Sequence, residues 1–348
     1  RSYNDDACTE ERNSLEKFFE WKARIIGNYK TPRMNKIYKE IENISRGESN
    51  IFLLGESGTG KELMANAIHE KSGRRGKFIS FNAAGVTDTL AESTLFGFVK
   101  GAFTGAINDT KGFFEEADNG TLFIDEIGDM ELTLQPKILR AIDPNIREIQ
   151  RLGNARPIKV NVRVIGGTNK GIKDDMERGS FRKDLYHRFG IKLTLPTLRE
   201  RDADIPLLAT YFLDKYCKIY TREIKGIAHE AMTILTKYKW PGNIRELEEV
   251  IKSAINRAGD QDFLYLNDFL FSDEESIAKE ERIGDKGIKG ESEKGMKSLK
   301  EIIHEAVKGT LKQTDGNKRK AAEILGIAPQ TLYNILMKEA GIKRPEKE

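Results

Sequence analysis

The sequence predicts an α/β protein: a phosphate-loop parallel-sheet domain with a helical lid subdomain, followed by an all-α helix-turn-helix module at the C-terminus. Three observations predict it. Short β-rich runs at 50–54, 78–83, 121–127, 162–168 and 191–195 alternate with helical patterns, as strands do when helices cover a parallel sheet. The stretch "GESGTGKE" follows the first run and precedes a helix. Near the end, "NKRKAAEILGIAPQTLYNILMKEAGI" reads as two short helices around a tight turn.

Taken in order, residues 1–22 are polar with a short apolar stripe at Leu15, Phe18 and Phe19, and read as a connector or the stump of a regulatory domain. The α/β subdomain is expected over 23–198. Over 199–271 the pattern turns helical, with Ile205, Leu208, Ala209, Phe212, Leu213 and Tyr216 on one face. Residues 272–298 hold no aromatic side chain and alternate charge with Gly and Ser, so they cannot bury enough apolar area to order themselves and read as a flexible linker. The helix-turn-helix is expected over 299–348, with Leu299, Ile302, Ile303, Ala306, Val307 and Leu311 at helical spacing.

Composition narrows the function class. The 348 residues carry 58 Lys+Arg against 55 Asp+Glu, so nucleic-acid binding must come from a local basic patch and not from overall charge. Cys8 and Cys217 lack metal-ligand spacing and fit a reducing cytoplasm. The apolar runs are too short to cross a bilayer, and no signal peptide is visible in a sequence that begins at Arg1.

The chemistry is carried by four phrases. In "GESGTGKE" the backbone N–H groups of Gly55, Glu56, Ser57, Gly58, Thr59 and Gly60, with the N-terminus of the helix behind them, would surround phosphate oxygens, and Lys61 would reach the β and γ phosphates. Glu62 stands where a magnesium-binding Ser or Thr is usual. "GTLFIDEIGD" ends a buried strand on two carboxylates, Asp125 to hold Mg2+ directly or through water and Glu126 to orient or deprotonate the attacking water. "RVIGGTN" ends on Asn169, placed for that water or the γ-phosphate. "GSFRKDLYHRFG" offers Arg182 and Arg188 as arginine fingers, groups commonly supplied by another subunit.

Between the second and third of the five runs lies "GAFTGA". A connection normally favours residues that relax the backbone, yet Phe103 and Thr104 sit here between the small residues Gly101, Ala102, Gly105 and Ala106. An aromatic at such a tip is expected to be held out for a partner. In the C-terminal module Asn317 would cap the first helix and Pro329 would begin the second, with Ala321, Ala322, Leu325, Ile327, Leu332 and Leu336 inward. Gln330, Thr331, Asn334 and Lys338 would then face base edges, and Lys318, Arg319 and Lys320 would face phosphates.

The ordered set "GESGTGKE", "ESTLFGFVKGAFTGA", "GTLFIDEIGDM", "FRKDLYHRFG", "LPTLRERDADIPLLA" and "WPGNIRELEEVI" resembles the sigma-54-dependent transcriptional activators, bacterial enhancer-binding proteins of the AAA+ ATPase class with a Fis-type helix-turn-helix. The resemblance runs over 25–270 and resumes in the C-terminal module. It implies an AAA+ fold, ATP and Mg2+ as ligands, a homo-oligomer that is typically a hexameric ring, and ATP hydrolysis that drives open-complex formation by sigma-54 RNA polymerase from upstream DNA sites. It further implies a cytoplasmic location and control by a two-component or sensory domain. Glu62 resembles the family form of the phosphate loop. Asn82 matches a residue that bonds the catalytic carboxylate and connects nucleotide state to loop movement. Arg182 and Arg188 match the arginines that reach a neighbouring subunit's site, Arg245 matches the nucleotide-sensing arginine of the lid, and the tip of 101–106 matches the surface that touches sigma-54.

The sequence departs from the family pattern in a few places. Gly167 replaces the usual Ala, "NAAG" replaces "NCAA", Ala328 lacks a capping hydroxyl, and Asn334 sits where Arg is common. "RAIDPNIREIQRLG" is longer than the usual segment, near a second surface loop that the family uses close to DNA. Two other readings compete. One is a DNA-binding repressor that keeps the fold only for ligand-driven oligomerisation, a type that usually loses the "GAFTGA" phrase. The other is a generic AAA+ remodelling enzyme such as a protease unfoldase, which the C-terminal module disfavours.

Overall fold

Apolar runs set the frame. "IFLL", "TLFI" and "RVIGGT" show no polar alternation because each strand is covered on both faces, the condition of a parallel sheet flanked by helices. The computed structural model describes residues 29–169, 171–271, 307–312, 314, 316–324 and 332. The connector expected at 1–22, the linker expected at 272–298 and most of the expected second helix of the C-terminal pair lie outside the described residues. The chain divides into two compact units, Arg1–Thr197 and Leu198–Glu348.

The first unit opens with helix α1 (Pro32–Ser45), strand β1 (Ile51–Leu54), helix α2 (Lys61–Ser72), strand β2 (Phe78–Asn82) and helix α3 (Asp88–Phe96). A small hairpin of β3 (Gly97–Phe98) and β4 (Thr110–Lys111) leads through the one-turn α4 (Phe113–Glu116) to β5 (Thr121–Asp125). Helix α5 (Gln135–Ile142) precedes a second hairpin, β6 (Glu148–Ile149) and β7 (Ile158–Lys159). Strand β8 (Arg163–Thr168), helices α6 (Ile172–Arg178) and α7 (Lys183–Arg188), and strand β9 (Ile191–Thr194) complete it. Five strands form one parallel sheet in the order β2-β5-β8-β1-β9.

That order places the central strands β5, β8 and β1 side by side, with their C-terminal ends along one edge, where open α/β sheets bind ligands. Beneath it Phe52, Phe96, Phe114, Ile124, Ile127, Phe181 and Phe189 share one core, with Phe52 edge-on to Phe189 at 4.8 Å between ring centres. Three of the five expected strands, the second, third and fifth, end one or two residues early, and the other two end where expected. The third stops at Asp125 because Glu126 turns into the left-handed region (φ 50°) and starts a 3-10 turn at Ile127–Asp129.

The second unit contains α8 (Ile205–Tyr220), α9 (His229–Lys237) and α10 (Asn243–Arg257), with a short parallel pair of β10 (Gly226–Ile227) and β11 (Phe263–Leu264). Trp240 is fully buried, donates its indole N–H to the Leu235 carbonyl at 2.8 Å and packs against Tyr238 and Phe271. Both Trp240 and Asn243 have positive φ, and the Glu246 carboxylate accepts the Gly242 N–H at 2.8 Å, so the "WPGN" turn is locked before α10 begins. Helix α11 (Lys318–Ile324) is capped as expected: Asn317 Oδ1 accepts the Lys320 N–H at 3.1 Å. Ala321, Ala322 and Leu332 are buried together with Val307. Among the described residues, no helix is long and apolar enough to cross a membrane.

Candidate functional site

The phosphate loop joins β1 to α2. Gly58 (φ 75°) and Gly60 (φ 97°) adopt the left-handed conformation that lets the chain wrap a small anion closely. Thr59 is buried and donates its hydroxyl to the Glu56 carbonyl at 2.8 Å, closing the loop on itself. Lys61, the first residue of α2, is only 5% exposed. Its ammonium donates to the carbonyls of Gly55 at 3.1 Å and Glu56 at 3.4 Å and lies 3.6 Å from the Glu126 carboxylate. Glu62 points outward on the first turn of the same helix.

Opposite the lysine, the end of β5 delivers the acidic pair and the end of β8 delivers Asn169. Asp125 Oδ1 accepts the Glu126 N–H at 3.1 Å, and Glu126 Oε2 accepts the backbone N–H of Asn169 at 3.0 Å. Glu126 is thus held between a cation and a main-chain donor while its backbone sits in a region that L-residues rarely occupy. Asn169 reaches it through the main chain, and its side chain is exposed. Asn82 stands in register with Asp125 on the neighbouring strand, but its Oδ1 accepts the Ala84 N–H at 2.9 Å rather than engaging the glutamate.

Gly167 explains one departure from the family pattern. A Cβ there would lie 2.8 Å from Asp125 Oδ1 and 3.0 Å from the Phe123 ring, so a bare backbone lets the Asp125 carboxylate settle against β8. As for metal, among the described residues no group of three or more His, Cys, Asp or Glu could hold an ion. The donors fit a magnesium ion that takes one carboxylate from the protein and its remaining oxygens from phosphate and water, the usual habit of Mg2+.

Of the two expected arginines, Arg182 immediately precedes α7, at its N-cap, and Arg188 is its last residue. Arg182 forks onto Asp184 at 3.0 and 2.6 Å, which raises the arginine pKa and lowers that of the aspartate, mainly through the shared hydrogen bonds. Arg188 donates to Asp143 Oδ2 at 2.6 Å. Arg245 is exposed on the first turn of α10, in the second unit.

The 101–106 loop is the tip of the hairpin formed by β3 and β4. Gly97 and Gly112 face each other at its base so closely that a Cβ on either would fall within 2.6 Å of the other's backbone nitrogen. The tip is closed by Gly101 N–H to Ala106 O at 2.9 Å and Ala106 N–H to Phe103 O at 3.0 Å, and a Cβ at Gly101 or Gly105 would meet open space. Thr104 is exposed. Phe103 is 41% exposed and stands edge-on to Phe98 at 4.9 Å, so one edge of its ring rests on the hairpin while the remainder faces out. The expected held-out aromatic is therefore half seated.

Sequence reasoning missed the support beneath this tip. Val99 N–H bonds to Leu152 O at 3.1 Å and Leu152 N–H to Gly97 O at 2.9 Å, so the turn before β7 runs alongside β3. Gly153 would clash with the Ala102 side chain at 2.9 Å if it carried a Cβ. Arg151 forks onto Glu115 through Nε and Nη2, each at 2.6 Å, and its Nη1 approaches Asp109, whose other oxygen accepts the Lys100 N–H at 2.8 Å. The only sequence signal was the arginine and glycine of "RLG", which carry no mark of their partners.

Of the residues expected to face DNA, Lys318, Arg319 and Lys320 are exposed on α11, while Gln330, Thr331, Asn334 and Lys338 lie outside the described residues.

Comparison with known proteins fits this geometry. Residues 26–194 match the Sigma-54 interaction domain, 199–283 the AAA+ ATPase lid domain, and 298–336 the bacterial regulatory proteins of the Fis family. Among relatives, the chain is 39% identical over 335 residues to the regulatory protein AtoC of Escherichia coli K12, covering 94% of this chain and 70% of AtoC. It is 40% identical over 305 residues to the transcriptional regulatory protein ZraR of the same strain, covering 87% of this chain and 66% of ZraR. The chain thus spans about two thirds of the length of these curated relatives. A crystal structure of NtrX from Brucella abortus superimposes with a TM-score of 0.65 at 27% identity, over 97% of this chain and 74% of that one. With its parallel-sheet AAA+ domain, helical lid and Fis-type helix-turn-helix, the chain belongs to the family of sigma-54-dependent transcriptional activators.

Proposed function

We propose that this chain hydrolyses ATP between its phosphate loop and the ends of β5 and β8, and uses the cycle to remodel sigma-54 RNA polymerase through the 101–106 loop while the C-terminal module holds upstream DNA. The observation that carries this reading is the placement of Glu126, a strained residue fixed between Lys61 and the Asn169 N–H at the end of a buried strand. Family membership supports it, and NtrX of Brucella abortus has been solved in complex with ATP and with ADP.

In this reading each group has a separate task. Gly55, Glu56, Ser57, Gly58, Thr59 and Gly60 shape the cradle, Glu62 contributes only its main chain at the start of α2, and Lys61 neutralises charge on the β and γ oxygens. Asp125 is the carboxylate that would hold a magnesium ion, which would supply positive charge against the phosphate oxygens. Glu126 orients and deprotonates the attacking water, and Asn169 fixes the carboxylate that does so. Asn82 gives β2 a polar end beside this pair, and Arg245 brings the lid's response to nucleotide.

Arg182 and Arg188 complete the site of an adjacent subunit, which makes turnover a property of an assembly, a hexameric ring in this proposal. The hairpin carrying Phe103 and Thr104 lies in the chain between β2 and β5, the two strands that end at Asn82 and Asp125. A change at the γ-phosphate therefore has a short structural route to the tip, where an exposed threonine and a half-seated phenylalanine offer a contact surface to sigma-54.

The test is Glu126→Ala. ATP turnover should fall by at least about 100-fold, the scale of a lost general base, with nucleotide binding retained. Turnover at the wild-type rate would overturn the assignment.

A further inference from the structure

Two arginines are assigned above to a neighbouring subunit's nucleotide, and the fold treats them differently. Arg182, the extended residue just before α7, pairs with Asp184 on its first turn, with side chains 42% and 48% exposed. The Arg182 backbone N–H is held by the buried Gln135 Oε1 at 2.8 Å, but the side-chain pair is local and open to solvent screening, so it ties the guanidinium to no other element. Arg188 pairs instead with Asp143, whose side chain is 14% exposed.

Asp143 is a fixed point. It terminates α5, its Oδ1 accepts the Asn145 N–H at 2.9 Å, and its carbonyl accepts the N–H groups of Ile146 at 3.1 Å and Arg147 at 3.0 Å. Only Oδ2 remains for Arg188, and it takes Nη2 at 2.6 Å, the length of a charge-assisted bond. The arginine is thus gripped at one corner by a carboxylate that cannot swing, while its side chain stays 37% exposed. A long side chain held in this way loses little further freedom when it meets a phosphate. Asp143 lies within "RAIDPNIREIQRLG", the segment read as longer than the usual one, so the grip falls in a part of the sequence that departs from the family pattern.

We infer that Asp143 is the positioning residue for Arg188: it anchors the guanidinium so that its free edge is presented outward, to the nucleotide of an adjacent copy of this chain. This inference rests on the proposed trans role of Arg188, and the experiment separates the two. Steady-state ATP turnover is measured for the wild-type chain, Asp143→Asn, which keeps the acceptor for Asn145 but loses the charge, and Arg188→Ala. Each variant is then titrated with Glu126→Ala chains, which cannot hydrolyse but carry an intact Asp143 and Arg188.

For Asp143→Asn, kcat should fall about tenfold, as expected for a misplaced rather than missing group, with KM for ATP unchanged. Turnover per Asp143→Asn chain should climb back as Glu126→Ala chains are added, because the defect lies in what a subunit lends to its neighbour. A mere loss of stability in the variant would not be relieved in this way. If Arg188→Ala loses turnover and is relieved by mixing while Asp143→Asn turns over at or above the wild-type rate, the positioning role is overturned and the trans role stands. A fall in Asp143→Asn that mixing does not relieve also overturns it. If Arg188→Ala turns over normally, the trans role fails and the positioning role fails with it.

Discussion

Arg163 shows what a single side chain contributes to this fold. It is 1% exposed at the start of β8, and its guanidinium donates to the carbonyls of Ile44 at 2.9 Å, Ser45, and Ser49 at 3.0 Å, so it closes the C-terminal end of α1. Burial pushes its pKa down to about 10, with the nearby Arg74 charge adding to the effect, yet it remains protonated at neutral pH. Arg163→Met removes the donors and leaves those carbonyls facing apolar surroundings. A loss of roughly 3 kcal/mol of folding stability is expected, measurable as a lowered denaturant midpoint. The residue scale is also where sequence reading was weakest. Lys61, Asp125 and Glu126 were legible because their motif fixes their spacing along one strand and one loop. The left-handed backbone of Glu126, the turn of Asn82 toward Ala84 and the grip of Asp143 on Arg188 were not, since each depends on a backbone angle or on a partner distant in sequence.

At the scale of elements, α2 and β5 carry the two halves of the site, and one hydrogen bond ties their far ends together. His69 Nδ1 lies 2.9 Å from the hydroxyl of Thr121, which is fully buried at the start of β5. Burial, and then the charge of Arg74, lowers the His69 pKa from its ordinary 6.5. The unfolded chain therefore takes up a proton that the fold resists. His69's share of stability is complete above pH 6.5 and is lost as pH falls through that value toward the folded pKa. The melting temperature should drop between pH 7.5 and pH 5.5, and should drop less in His69→Gln; equal drops would remove His69 from the account.

Elements also show why part of the fold was readable. The central strands β1, β5 and β8 were legible because apolar runs of four to six residues between helices have few alternatives in a parallel sheet, and the edge strands β2 and β9 because they alternate apolar with polar residues. The hairpins of β3 with β4 and β6 with β7 were not, because strands of two residues carry no periodicity. Their existence follows from Gly97 meeting Gly112 and Leu152 pairing along β3, contacts that composition cannot announce.

For the whole molecule, the proposal joins three functions along one chain: hydrolysis at the sheet edge, transmission through the hairpin tip, and DNA attachment by the Fis-type module. The sequence announced the tip by its odd composition, an aromatic and a threonine among small residues. The structure refines that picture, since Phe103 leans on Phe98 and the tip is braced from below by Gly153 and Arg151. A tip half seated on its hairpin can be raised or lowered by small shifts at its base, which is the property a nucleotide-driven contact needs.

The central claim, that ATP energy leaves the protein through this tip, is tested most directly by binding purified sigma-54 to the wild-type chain and to Thr104→Ala in the presence of ADP with aluminium fluoride. ATP turnover is measured on both alongside. The account predicts that both chains hydrolyse ATP at similar rates and that only the wild type captures sigma-54. Equal capture by Thr104→Ala, or no capture by a wild-type chain that hydrolyses ATP, would contradict it.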